Sequence, residues 1–151
     1  MARKINKPVA AASAATAPAV DTASDLDTLH PERLLLLAGG KLRVVVREYG
    51  HLEWLRLLQQ AEPLVAAIAA VIGAGREPSY EEALAILAQH ADALAPLVAQ
   101  AADMELAVFD ALQPDDGELL LMTWWGCNGR FFVRRALNRV AIARAESIRP
   151  A

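Results

Sequence analysis

Cys127 stands directly before Asn128, Gly129 and Arg130. A thiol at a helix amino end beside an arginine is the setting that lowers a cysteine pKa and makes a nucleophile. Such a nucleophile needs a base, and the three histidines, His30, His51 and His90, lie in separate segments with no dyad or ligand spacing. Cys127 therefore reads as a small packing residue and the histidines as helix-end or surface groups. A single cysteine also excludes an internal disulfide framework and every multi-cysteine metal site. The acid pairs Glu81-Glu82 and Asp115-Asp116 fall at predicted helix starts, where they complement the helix dipole without any catalytic role. Gly73-Ala74-Gly75 resembles a phosphate loop only superficially, because no helix-opening glycine follows. With no nucleotide-binding, metallohydrolase or nucleophile-elbow motif in the chain, the expectation is a protein that is not an enzyme and uses no cofactor and no metal.

Chemistry suited to binding is better represented. Arg130, Arg134, Arg135, Arg139 and Arg144 sit on one predicted helix and could track phosphates. They could also pair with the rest of the chain, because residues 21–127 carry 17 acids against 6 bases. That acidic body would repel a polyanion, so nucleic acid is the less favoured partner, and an acidic protein partner is a third reading. The densest cluster is Trp124-Trp125-Gly126-Cys127-Asn128-Gly129-Arg130-Phe131-Phe132. Trp124 and Phe132 read as core, whereas Trp125 and Phe131 are candidates to grip a partner, with core packing the competing reading for each. Residues 64–72 are apolar on every side of a helix, which suits a buried segment or a self-association surface. Leu64, Val65, Ile68 and Ile72 are its candidate contacts.

The elements that must position these residues follow from composition and spacing. At 151 residues, 55% hydrophobic and rich in alanine and leucine, the chain suggests one mostly helical domain. Residues 1–24 alternate Ala with Ser, Thr and Pro after a basic start, and read as a flexible arm. Pro8, Ser13, Thr16 and Pro18 interrupt what would be the apolar run of a signal peptide. A single globular domain is expected over residues 25–148. Residues 33–37 and 42–47 read as a hairpin turned at Gly39-Gly40, with Val44, Val45 and Val46 favouring extended chain. A helix over residues 50–72 should kink or divide at Pro63, and its apolar part is too short to span a bilayer. Ser79 and Glu82 have capping-box spacing before a helix over 80–90. Helices over 92–104 and 105–112 come next. Asp115 and Glu118 have cap spacing for a further helix. Residues 126–129 read as a joint, with Asn128 capping a last helix that ends near Glu146. The fold class expected is mainly α with a small N-terminal β-hairpin (α+β), bundle-like.

The order of an Ala/Pro-rich arm, the segment LHPERLLLLAGGKLRVVVREYGHLEWLRL, a helical middle and LLMTWWGCNGRFFVRRAL resembles the tail assembly chaperones of long-tailed bacteriophages and prophages. The likeness runs from about residue 29 to 140. It rests chiefly on Arg47-Glu48-Tyr49-Gly50 and on residues 124–135, including Arg134 and Arg135. It implies a non-enzymatic protein of the bacterial host cytoplasm that keeps the tape-measure protein soluble during tail assembly, with the tail tube protein as a further contact. A chain of that kind would be absent from the finished virion. Two other readings remain: a structural head-tail or tail component, and a small nucleic-acid-associated regulator using the arginine helix.

Overall fold

The computed structural model describes residues 32–76 and 79–150. The arm over residues 1–24 and His30 lie outside the described residues. The order of elements is β1 (Arg33–Leu37), β2 (Leu42–Val46), α1 (His51–Gly73), α2 (Tyr80–Gln89), α3 (Ala91–Ala101), α4 (Leu106–Asp110) and α5 (Pro114–Ile148). The protein is thus mainly α with one antiparallel hairpin.

In the hairpin Leu35 faces Val44, and Leu37 faces Leu42. Strand alternation sends Leu37, Val44 and Val46 into the core and leaves Leu34, Leu36 and Val45 exposed. The connection is wider than a two-residue turn. Ala38, Gly39 and Gly40 form a 3-10 turn with φ of 52°, 65° and 86°. The two glycines adopt positive φ freely, whereas Ala38 does so against its Cβ. Its N–H donates to Asp116 Oδ2 at 3.0 Å, which holds that strained residue against the start of α5.

Helix α1 runs unbroken through Pro63, so neither a division nor two meeting helices is found there. Pro63 lies on the solvent side, as does Gln59, whose carbonyl loses its amide donor and faces water instead. The buried residues Leu57, Ala61, Leu64, Val65, Ile68 and Ala69 make one helical stripe. At 23 residues α1 is long and apolar enough to cross a membrane by length and composition, but this stripe is occupied by the protein's own core.

Helix α2 starts with the expected capping box. Ser79 Oγ accepts from the Glu82 N–H at 3.2 Å, and the Ser79 N–H donates to Glu82 Oε2 at 2.9 Å. His90 lies at the junction of α2 and α3, and His51 opens α1, both at helix ends as expected. The largest departure is α5. It is one helix of 35 residues, about 50 Å long at 1.5 Å per residue, with no joint at residues 126–129. Gln113 is its N-cap and Pro114 its first residue, a position where the missing proline N–H is harmless. Asp115 and Asp116 fall within the first turn, so Asp115 is not the cap.

Helices α1 and α5 lie side by side in the same direction. Trp54 stacks on Phe131, Glu62 pairs with Arg139, and Gly73 faces Val140. The hairpin, α1, α2, α3 and α5 close over one core whose largest enclosed side chains are Trp124, Phe132, Leu37 and Leu64.

Candidate functional site

Asn128 is fully buried in the middle of α5. It does not cap a helix. Its Oδ1 accepts from the Tyr49 N–H at 2.9 Å, and its Nδ2 donates to the Arg47 carbonyl at 3.0 Å. One side chain therefore supplies both backbone partners needed where the chain passes from β2 to α1. Without them a buried donor and acceptor would go unpaired, at about 1–3 kcal/mol each.

The surrounding residues complete this junction. Arg47 forks onto Glu53 at 2.6 and 2.8 Å and reaches the Gln100 carbonyl at 3.2 Å. The Arg47 guanidinium, helped by Gln100 and by the Gly50 N–H, holds the Glu53 carboxyl down at about 2. Glu48 pairs with Arg130. The Tyr49 hydroxyl donates to the Leu97 carbonyl and accepts from Trp124 Nε1 at 2.9 Å. Burial pushes its pKa up. Arg47-Glu48-Tyr49-Gly50 and residues 124–130, far apart in sequence, thus meet in one place.

Cys127 belongs to the same buried layer. Its thiol faces the Val46 carbonyl at 3.9 Å, and burial raises its pKa. Because α5 is continuous, Cys127 lies in its middle and not at its amino end, so the helix start expected beside the thiol from the sequence is not formed. Among the described residues no group of three or more His, Cys, Asp or Glu could hold a metal ion.

On the neighbouring side α1, α2 and α5 part to leave an open groove of about 620 Å³. Ile68, Val71 and Ile72 form one wall, Leu84 and Ile86 the second, and Met122, Trp125, Val133 and Leu137 the third. Arg76 and Ser79 stand at one end. The Trp125 indole lies flat over Gly129, where a Cβ would come within 2.8 Å of the ring. Glycine at the next turn of the same helix therefore lets the indole fold down as a groove wall. Leu137, half exposed at the rim, is the most accessible apolar side chain there.

Of the contacts expected from the sequence, Ile68, Ile72 and Trp125 line this groove. Leu64 and Val65 do not: both are enclosed in the core, as Ile68 largely is. Residues 64–72 are apolar all round because the outer positions are small, namely Ala66 and Ala70, while the large residues point inward. Phe131 sits apart from the groove, stacked on Trp54 at 5.4 Å between centroids with the Arg130 guanidinium over its ring. Trp125 and Phe131 therefore do not form one gripping pair. Trp124 and Phe132 are core, as expected. Arg134 and Arg135 are exposed on α5, while Arg130 and Arg139 pair with Glu48 and Glu62 of the acidic body. The α2 wall was missed, though the spacing of Leu84 and Leu87 behind the Ser79 cap marked a face directed at α1 and α5.

A two-stranded hairpin set on a bundle with a long terminal helix and an apolar groove in its side defines a small, mainly α protein of the α+β kind. The chain belongs to a family of unknown function (DUF6631), whose match covers residues 25–151. No curated protein and no solved structure gives a significant match.

Proposed function

We propose that this protein is a non-enzymatic chaperone that holds an apolar helical segment of another chain in the groove between α1, α2 and α5. Following the resemblance of its sequence to tail assembly chaperones, the partner is the tape-measure protein of a long-tailed phage, bound in the bacterial cytoplasm before tail subunits enclose it. The observation that carries this reading is the groove, an open apolar trough walled by Trp125 and edged by the exposed Leu137. An amphipathic helix seats its apolar stripe in such a trough, and covering that stripe keeps a long helical chain from aggregating.

Co-expression with a phage tape-measure protein from the same genome should raise the soluble fraction of that protein. Leu137→Asp places a charge at the groove rim, where apolar contacts are made. Its binding should weaken about tenfold or more, which is about 1.4 kcal/mol. Thermal stability should change by no more than about 0.5 kcal/mol, because the residue is exposed. Unchanged co-purification of the Leu137→Asp variant would overturn the groove assignment, and recovery of the protein as a permanent part of mature particles would favour a structural tail component instead.

A further inference from the structure

Charge is divided along the length of α5. Between Arg76 and Arg130 the sequence has no lysine or arginine and ten acids, whereas residues 130–151 hold six arginines and one acid. At the acidic end, α2, α3, α4 and α5 enclose a second groove of about 400 Å³. Its floor is apolar, formed by Leu84, Leu94, Phe109 and Leu121, and Asp92, Asp110 and Glu118 stand on its rim. At the other end, the last turns of α5 run along α1, where Ala143, Arg144 and Ser147 line an open trough with Ala66, Ala69, Ala70 and Gly73 and keep an outer side toward solvent. Every residue from 141 to 148 is exposed, including Ile142 at 59% and Ile148 at 78%, next to Arg144 and Arg149.

The two surfaces match in shape class and in charge: an apolar trough with acidic edges, and a helix end with apolar residues flanked by cations. They cannot meet within one molecule. Glu118 and Arg144 lie 26 residues apart on one straight element, about 39 Å at the helical rise. We propose that the acid-rimmed groove receives the basic C-terminal end of α5 from a second copy of this chain, head to tail. Exposed apolar surface on both sides is covered in that contact, and opposite charges across its rim set the orientation. Because each copy keeps one groove and one helix end, the contact is heterologous and propagates beyond a pair. Of the residues that line the first groove it shares only Leu84 and Leu87, on α2, which border both.

The test is sedimentation of the full chain with three proteins. The wild type should exceed the 16.2 kDa monomer mass in about 25 mM salt and return to it in about 500 mM, where the screening length is only a few ångströms. Arg144→Gln with Arg149→Gln removes the helix-end charges, and Asp92→Asn with Asp110→Asn removes rim charges; all four residues are exposed, so folding is retained. Each double variant alone should need at least about tenfold higher concentration to associate. Mixed in equal amounts, the two should form a species of twice the monomer mass and no larger, because only one intact groove and one intact helix end can be combined. A wild type that stays monomeric at both salt concentrations would overturn the proposal. So would association that either double variant leaves unchanged. Loss of self-association with unaltered tape-measure solubilisation would leave the first groove's role standing, and the two assignments are therefore separable.

Discussion

Glu53 and Asn128 hold the β2–α1 junction from opposite sides, one by charge and one by neutral hydrogen bonds. Glu53 takes donors from Arg47, Gln100 and the Gly50 amide, and its carboxyl is held at about 2 against an ordinary value near 4.5. A carboxyl with a depressed folded-state pKa binds its proton more tightly in the unfolded chain. Its stabilisation is complete above the unfolded value and is lost as pH falls from about 5 towards 2. Glu53→Gln should therefore lower stability at pH 7 by about 2 kcal/mol and flatten the decline between pH 5 and 2, read by chemical denaturation at several pH values. A variant with the same acid profile as the wild type would show that the Arg47 contact contributes nothing. Glu53 stood in the sequence as one more acid in an acidic body. Its importance depends on Arg47, six residues earlier, and on Gln100, brought in by α3. Asn128 was legible but misread: Asn before Gly ordinarily signals a helix cap or turn, and only the approach of residues 47–49 gives its amide two buried partners.

At the scale of elements, α5 separates local propensity from packing. Gly126 and Gly129 each weaken a helix by about 1 kcal/mol relative to alanine, and their proximity suggested a joint. The structure assigns them different reasons. Nothing lies within 4 Å of a Cβ at Gly126, whereas one at Gly129 would strike the Trp125 ring. Gly126→Ala should raise stability by about 0.5–1 kcal/mol. Gly129→Ala should instead displace the indole, altering near-ultraviolet circular dichroism and tryptophan emission and weakening partner binding. A jointed helix would reverse the Gly126 outcome, because alanine would oppose the break. The hairpin and the Ser79 cap were readable because alternation and hydrogen-bond spacing are local signals. The unbroken passage of α1 through Pro63 was not, since it depends on which side of the helix meets water.

Across the whole molecule, the hairpin has no core of its own. Leu37, Val44 and Val46 are buried among residues of the helices, and Arg47 donates its backbone N–H to the Ala101 carbonyl at 3.0 Å. Two strands alone are marginal in water, so hairpin and bundle should unfold together. Far-ultraviolet circular dichroism and tryptophan fluorescence should give coincident denaturation curves with one midpoint. Separate midpoints would show that the hairpin is an independent unit. The same closure explains why the two segments behind the family resemblance are dense in aromatic and charged residues. Tyr49, Trp54, Trp124, Trp125, Phe131 and Phe132 form a continuous set of ring contacts around the junction.

From the residues alone came the mainly α class, the hairpin, the helix between the Ser79 cap and His90, and the core roles of Trp124 and Phe132. Each rests on interactions among near neighbours in the chain or on strong apolar periodicity. Tertiary structure decided which apolar residues remain accessible. It buried Leu64 and Val65, divided Trp125 from Phe131, and joined Ile72, Leu84 and Leu137 around one opening. Side chains of equal hydrophobicity are sorted into core and groove by where whole helices stop touching, and that boundary is set by their relative placement rather than by any one segment.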